Sequence, residues 1–167
     1  MKKLFIAIAA LGLSISAFAN GSSSSENWSA LQAGFWFGYP KSTLYSDVCG
    51  LKLGIPICSG HGTVRGIETA ILCAATDNIK GVQFTWFGVN ATNNLSGLQL
   101  AFVNITKVIS NGLQLGAVNF SQNKGWQFGL VNASSESQFQ LGILNFNRDG
   151  WLPFMIFVNF GKHTFDD

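Results

Sequence analysis

The chain has 167 residues, of which 47% are hydrophobic, 13% aromatic and only 11% charged, with a formal net charge of +2. This composition excludes a disordered chain, because disordered proteins are rich in charge and poor in aromatic residues. A near-neutral charge also disfavours nucleic-acid binding, which usually requires a clustered basic surface. The scarcity of charge leaves unusually little polar surface.

The N-terminal residues 1–19 have the pattern of a secretory signal peptide. Lys2 and Lys3 form its basic start, an apolar stretch follows, and residues 17–19 spell the A-x-A cleavage signal AFA. The apolar stretch is short and is followed at once by a Ser-rich linker over residues 20–30, which favours cleavage over a retained anchor. We therefore predict export to the cell surface, outer membrane or periplasm of a bacterium.

Cleavage would leave about 148 residues, enough for one domain of ordinary size. It would also remove two of the ten basic residues, so that eight remain against eight acidic ones. Residues 31–167 are predicted to form a single β-repeat domain, with its repeats between about 48 and 160.

A short phrase recurs between Gly81 and Asn159 with its Gly, Gln and Asn in fixed places. Weaker copies begin at Gly50 and Gly66, and residues 31–37 resemble a divergent first copy or a cap. Recurrence at a period of about 15 residues is typical of stacked repeats. The clear copies are GVQFTWFGVN, GLQLAFVN, GLQLGAVN, GWQFGLVN, QFQLGILN and GWLPFMIFVN.

Side chains alternate with period two inside each copy, which predicts an extended strand. Leu98, Leu100 and Phe102 would share one face with Asn104, and Gln99 would point to the other face. Charged residues lie between the copies, among Asn and Ser residues typical of turns. These charged residues are Asp77, Lys80, Lys107, Lys124, Glu136, Arg148 and Asp149.

Two columns of equivalent polar residues follow from aligning the copies. Only Lys52 and Glu68 bring charge into a strand, and if the copies stack they would form an ion pair. The polar column contains Lys52, Glu68, Gln83, Gln99, Gln114, Gln127 and Gln140. The Asn column contains Asn90, Asn104, Asn119, Asn132, Asn145 and Asn159.

The pattern predicts an all-β protein with one of two architectures. In a β-solenoid of about eight short coils, the large apolar face would point inward, and the Asn column would form a ladder of amides at a corner. The alternative is an antiparallel up-and-down meander that closes as a small barrel, which an outer membrane could hold.

Three cysteines bear on this choice, because exported proteins commonly form disulfides and an odd count leaves one thiol over. Stacked coils would bring Cys58 near Cys73, whereas a hairpin would set Cys49 opposite Cys73. Three buried free thiols are the equally favoured alternative.

The sequence offers no convergent set of residues for catalysis. His61, in the segment CSGHG, lacks partners at metal-ligand spacing and is interpreted as a turn histidine. We accordingly predict no enzyme activity, no metal and no cofactor. Among the tryptophans, Trp126 and Trp151 occupy a position held by leucine in other copies and are predicted to pack in the core, whereas Trp86 is the better surface candidate.

The tandem G-[LVW]-Q-[LF]-[GA]-x-[VL]-N unit, as in residues 112–119 and 125–132, resembles the repeat of uncharacterised exported bacterial proteins, the leptospiral-type surface-repeat family. The resemblance covers roughly residues 48–160, including the closing GWLPFMIFVNF. It implies a surface or envelope location and brings no known activity, ligand or catalytic residue.

These observations predict a non-enzymatic exported surface or envelope protein with a structural or interaction role. Its expected partner is a protein, glycan or lipid at the cell surface, and not a nucleic acid. The alternative is a small outer-membrane β-barrel that is either structural or a narrow pore.

Overall fold

The computed structural model describes residues 28–41 and 44–162, apart from the side chain of residue 110. The predicted signal peptide, most of the predicted linker, and the C-terminal residues from 163 onward lie outside this part. The first strand nevertheless begins at Trp28, inside the predicted linker. No helix in the described part is long and apolar enough to cross a membrane.

Eleven strands lie within the described residues. They are β1 Trp28–Gly34, β2 Asp47–Gly54, β3 Ile57–Ala70, β4 Cys73–Thr85, β5 Val89–Leu100, β6 Val103–Leu115, β7 Val118–Ser121, β8 Trp126–Phe128, β9 Val131–Ser134, β10 Phe139–Asn147 and β11 Phe154–Phe160.

The strands stack in parallel as successive coils of a β-solenoid of about eight turns. Gly66 lies opposite Gly50 and Gly81, so each sequence repeat is one coil and equivalent residues are neighbours. The all-β solenoid prediction is therefore confirmed. The antiparallel barrel is wrong, because a meander would reverse the chain direction at every strand.

β1 forms the first coil, since Leu31 and Gln32 lie opposite Leu51 and Lys52 of β2. Residues 31–37 therefore begin as a divergent copy of the repeat. The strand pairing starts upstream of the predicted domain boundary, because Trp28 is already in register with Asp47.

The last repeat departs from the predicted stacking, because β11 pairs antiparallel with β10. Residues 148–150 form the turn, in which the Gly150 amide donates to the Asn147 carbonyl at 3.0 Å. Arg-Asp-Gly is a sequence suited to chain reversal. Asn159 consequently lies opposite Gln140 and not opposite Asn145, so it is not part of the Asn column.

A single coil shows how the cross-section is built. In the coil that begins at Gly97, residues 98–100 form a first side, residues 101–102 a corner, residues 103–106 a second side, and residues 107–111 a third side. The same three sides recur along the axis, and these names are used below for all equivalent residues.

The predicted inward orientation of the large apolar face is wrong. Gln99 and Asn104 are both completely buried, whereas Phe102 is 68% exposed. Alternation alone would place Gln99 and Asn104 on opposite faces. The two-residue corner between them resets the alternation, so both amides point into the solenoid and the bulky apolar side chains point out.

One apolar column does lie inside, against the third side. It ends at Ile109, because the next coil brings Gly125 close, and a Cβ on Gly125 would lie 2.7 Å from Ile109 Cδ1. The sequence repeats become shorter after Gly112, so the later coils have fewer residues on the third side. The column contains Val48, Val64, Ile79, Leu95 and Ile109.

Candidate functional site

The predicted polar column forms a continuous stack through the centre of the solenoid. Each member is in register with the next, from Gln32 in the first coil to Gln140 in the last parallel strand. All of them are at least 96% buried. The stack contains Gln32, Lys52, Glu68, Gln83, Gln99, Gln114, Gln127 and Gln140.

The glutamine amides of this stack form a directional hydrogen-bonded ladder. The Nε2 of Gln99 donates to Gln83 Oε1 at 2.7 Å, and that of Gln114 donates to Gln99 Oε1 at 2.9 Å. Gln127 and Gln140 continue the ladder with bonds of 2.8 Å. From Gln99 to Gln140 every amide therefore donates toward the N-terminal end, to the glutamine of the preceding coil, and only the last acceptor of the ladder, Gln140 Oε1, is buried without a partner.

The ladder ends on the only ion pair buried among the described residues. Gln83 Nε2 donates to Glu68 Oε2 at 2.7 Å, and Lys52 Nζ lies 3.5 Å from Glu68 Oε1. The Lys52 ammonium also donates to the Ser59 carbonyl at 3.0 Å and to the Thr76 hydroxyl at 2.8 Å. The predicted stacking of Lys52 on Glu68 is thus present, with additional donors and acceptors that lessen the cost of burying both charges.

The Asn column forms a second ladder, beside the corner. Asn90 Nδ2 donates to Asn104 Oδ1 at 3.2 Å, and Asn104 donates to Asn119 at 2.9 Å. Asn119 donates to Asn132, and Asn132 to Asn145, both at 2.8 Å. These amides donate toward the C-terminal end, so the two ladders run in opposite directions and their amide dipoles oppose each other.

The asparagines from Asn90 to Asn132 also close the corner of the following coil, whereas Asn145 donates to Gly142 in its own corner. Asn104 Nδ2 donates to the Leu115 carbonyl, and Asn119 Nδ2 to the Phe128 carbonyl, both at 2.8 Å. These carbonyls immediately precede the corner, where strand pairing is interrupted. The buried asparagines therefore have a structural role, because they satisfy backbone groups that the turn would leave without partners.

Substitution of Gln114 by leucine is expected to lower the free energy of unfolding by about 2 kcal/mol, because Gln127 and Gln99 each lose one of their two buried ladder partners. Urea denaturation followed by circular dichroism would measure the loss. The matched control is leucine at the exposed Gln122, where a change below about 0.5 kcal/mol is expected. Equal effects at both positions would contradict a stabilising ladder.

The three cysteines are free thiols in the structure, so neither predicted disulfide is formed in it. Cys58 lies opposite Ala74, and Cys73 lies opposite Ile57. Cys73 is therefore one residue out of register with Cys58. Cys58 occupies the Asn column in a coil where no asparagine is present, and its thiol donates to Glu68 Oε1 at 3.3 Å. Burial, and then the Glu68 carboxylate, raise the pKa of the Cys58 thiol far above its ordinary value.

The thiols are expected to react with iodoacetamide at pH 8 in a fixed order. Cys49 is exposed and reacts first. Cys73 reacts more slowly, because burial and the Glu68 charge raise its pKa and lower its thiolate fraction. Cys58 reacts only after denaturation. Peptide mass spectrometry would check this order, and native labelling of Cys58 at the rate of Cys49, or a disulfide in the exported protein, would contradict it.

His61 lies at the irregularity between β3 and β4, where it is exposed. Its Nδ1 is 3.0 Å from Asp77 Oδ2, and its ring packs against Tyr45 with centroids 5.3 Å apart. No group of three metal-ligating side chains occurs within residues 28–41 and 44–162. The contact between His61 and Asp77 therefore links β3 and β4 of two neighbouring coils at the surface.

The first side of the solenoid presents two apolar columns to the outside. Only Thr69 interrupts them. One column contains Leu31, Leu51, Ile67, Val82, Leu98, Leu113, Trp126, Phe139 and Phe160, and the other contains Leu53, Thr69, Phe84, Leu100, Leu115, Phe128, Leu141 and Val158.

The corner and the second side continue this apolar surface. At the corner Phe87 is 76% exposed and Trp86 63% exposed. Other exposed corner residues are Ile71, Leu72, Phe102, Leu130 and Ile143. The second side contributes Val89, Val103, Val118, Val131, Leu144 and Ile156 in one column, and Ala75, Ala91, Ile105, Phe120, Ala133, Phe146 and Phe154 in the other.

This outer surface was missed by the sequence reasoning, and we call it the apolar wedge: the first side, the corner and the second side together. Trp126 and Trp151 were predicted to be core residues, but they are 52% and 72% exposed. The charge distribution could have predicted this surface. Because the charged residues are confined to one segment of each repeat, the other two sides are left apolar.

The third side carries the charges that the sequence placed between the repeats. Arg65 and Lys80 are neighbours in register and lie beside the first side, whereas Lys107 lies where the second side ends. Asn78 and Asn94 are joined across coils by an amide hydrogen bond of 2.8 Å. The molecule is therefore amphipathic around its axis, with an interior of stacked polar side chains and one apolar column, one polar outer side and two apolar outer sides.

Comparison of the chain with models of known protein families, with curated proteins and with solved structures finds no match.

Proposed function

We propose that this chain is a non-enzymatic exported protein of the bacterial envelope or cell surface, which acts through the apolar wedge on a rigid scaffold. The observation that carries the proposal is the exposure of large apolar side chains along the whole solenoid. Contiguous apolar surface beyond a few hundred Å² marks an interaction site in most proteins. The signal-peptide pattern and the resemblance to surface-repeat proteins support the location.

The interior supports a structural role rather than a catalytic one. Its glutamine and asparagine amides bind one another, and the Lys52–Glu68 pair is enclosed between coils. Groups committed in this way hold the coils in register and are shielded from a substrate.

Export and processing can be tested by producing the complete chain in a Gram-negative bacterium and fractionating the cells. We expect a product that begins at Asn20 and is found in the envelope or outside the cell. The control variant carries Ala17→Leu and Ala19→Leu, which removes the small residues required for cleavage. An unprocessed wild-type chain in the cytoplasm would contradict the proposal.

A further inference from the structure

We infer that the apolar wedge is embedded in one leaflet of a phospholipid membrane, with the solenoid axis parallel to the membrane plane and the third side facing water. This inference rests on the proposed envelope role and adds the identity of the contacting partner, the acyl chains of lipids.

The first argument is the extent of the surface. An apolar column runs without a charged residue across nine neighbouring strands, from Leu31 to Phe160. At about 4.8 Å between strands, its length is about 38 Å. Three shorter columns lie beside it, one on the first side and two on the second side, with the corner between the two sides. This is far more apolar area than a soluble monomer ordinarily exposes.

The second argument concerns the backbone, because hydrocarbon offers no partner to a free N–H or C=O group. On both sides strand pairing satisfies these groups between neighbouring coils, in parallel from β1 to β10 and antiparallel between β10 and β11. The corner groups are also paired: the Ala101 amide donates to the Leu115 carbonyl at 3.2 Å, and the Gly116 amide to the Phe128 carbonyl at 3.1 Å. Between the two end strands β1 and β11, the wedge therefore presents bonded backbone to a lipid environment.

The third argument is shape, and it favours lipid over a second copy of this chain. The two apolar sides meet at a corner, and Phe87 and Phe102, which are 76% and 68% exposed, lie at its apex. A flat protein surface can cover only one of the two sides. Fluid acyl chains can cover both sides and the apex together.

The fourth argument is the position of the charges at the borders of the wedge. Lys80 and Lys107 are exposed at opposite edges of the third side. Long basic side chains at such borders extend toward the headgroups while their methylene groups lie along apolar surface. This distribution fits a protein held in the headgroup and upper acyl region, where interfacial segments penetrate roughly 5–10 Å.

The test is flotation with vesicles of phosphatidylethanolamine and phosphatidylglycerol. The processed protein, recovered in a mild detergent, is diluted below the critical micelle concentration with the vesicles and centrifuged through a density gradient. We expect the wild type to float. The double variant Phe87→Lys and Phe102→Lys places two charges at the apex, and its bound fraction should fall at least about tenfold.

The matched control places the same two charges on the third side, as Asn111→Lys and Gln122→Lys, and should float like the wild type. Circular dichroism establishes that each variant is folded. A measurement without substitutions uses vesicles that contain brominated lipid, which should quench the fluorescence of the exposed Trp86 and Trp126.

Wild-type protein that stays monomeric and does not float, or tryptophans that are not quenched, would overturn the inference. A defined dimer that forms without vesicles and does not float would identify a second copy as the occupant and would also overturn it. These outcomes leave the proposed envelope role standing, because that role is decided by export and location. An unprocessed cytoplasmic chain would contradict the role even if the purified protein floats.

Discussion

Replacement of Lys52 by methionine is expected to lower the free energy of unfolding by about 3–5 kcal/mol. The substitution leaves the Glu68 carboxylate, which is fully buried, without its counter-charge 3.5 Å away. The remaining donors, Gln83 Nε2, the Thr76 hydroxyl and the Cys58 thiol, are neutral and compensate only in part. Urea denaturation at pH 7, followed by circular dichroism, would measure the difference.

Two further variants separate the buried charge from the loss of packing. The double variant Lys52→Gln and Glu68→Gln should be much less destabilised than Lys52→Met, because it extends the glutamine ladder by two neutral amides. Methionine at the exposed Lys80 is the surface control, with an expected change below about 0.5 kcal/mol. If Lys52→Met were as mild as Lys80→Met, the buried pair would not contribute as argued.

Replacement of Gly81 by alanine is expected to destabilise the protein by more than about 3 kcal/mol, as backbone strain and overpacking combine. Gly81 has φ of 144° where the third side meets the first side, and a Cβ there would overlap the carbonyl oxygen of Gly66 in the preceding coil. Gly66 and Gly97 have the same conformation, with φ of 140° and 139°.

Alanine at Gly38 is the matched control for this prediction. Gly38 also has positive φ, 70°, but a Cβ there would meet nothing within 4 Å. Its expected cost is only the conformational penalty of about 1–2 kcal/mol. Thermal unfolding of both variants would compare them, and a Gly81 variant no less stable than the Gly38 variant would exclude close coil stacking as the reason for the glycine column.

The stacking of coils could be predicted because a solenoid places equivalent residues side by side. The Lys52–Glu68 pair was the most informative case: opposite charges at one repeat position make sense only if consecutive copies are neighbours. The stacked glutamines follow the same rule. The C-terminal copy does not stack in this way, because the chain reverses at residues 148–150 and Asn159 lies opposite Gln140, outside the Asn column.

The orientation of the faces could not be derived from alternation. Within each strand, period two correctly separates Gln99 from its neighbours Leu98 and Leu100. The alternation fails across residues 101–102, because the corner there turns both Gln99 and Asn104 toward the interior. A sequence pattern contains no measure of that change, so Trp126 and Trp151 were assigned to the core, although both are exposed.

The sequence by itself determined the local features: extended segments from alternation, the repeat from its recurring Gly, Gln and Asn, and the segregation of charge from the placement of Lys, Arg, Asp and Glu between the repeats. Only the tertiary structure decided what is inside. Stacking lets each glutamine and asparagine bond to its equivalent in the next coil, which makes a polar interior stable. The apolar side chains are then left outside, on two sides that meet at an exposed corner.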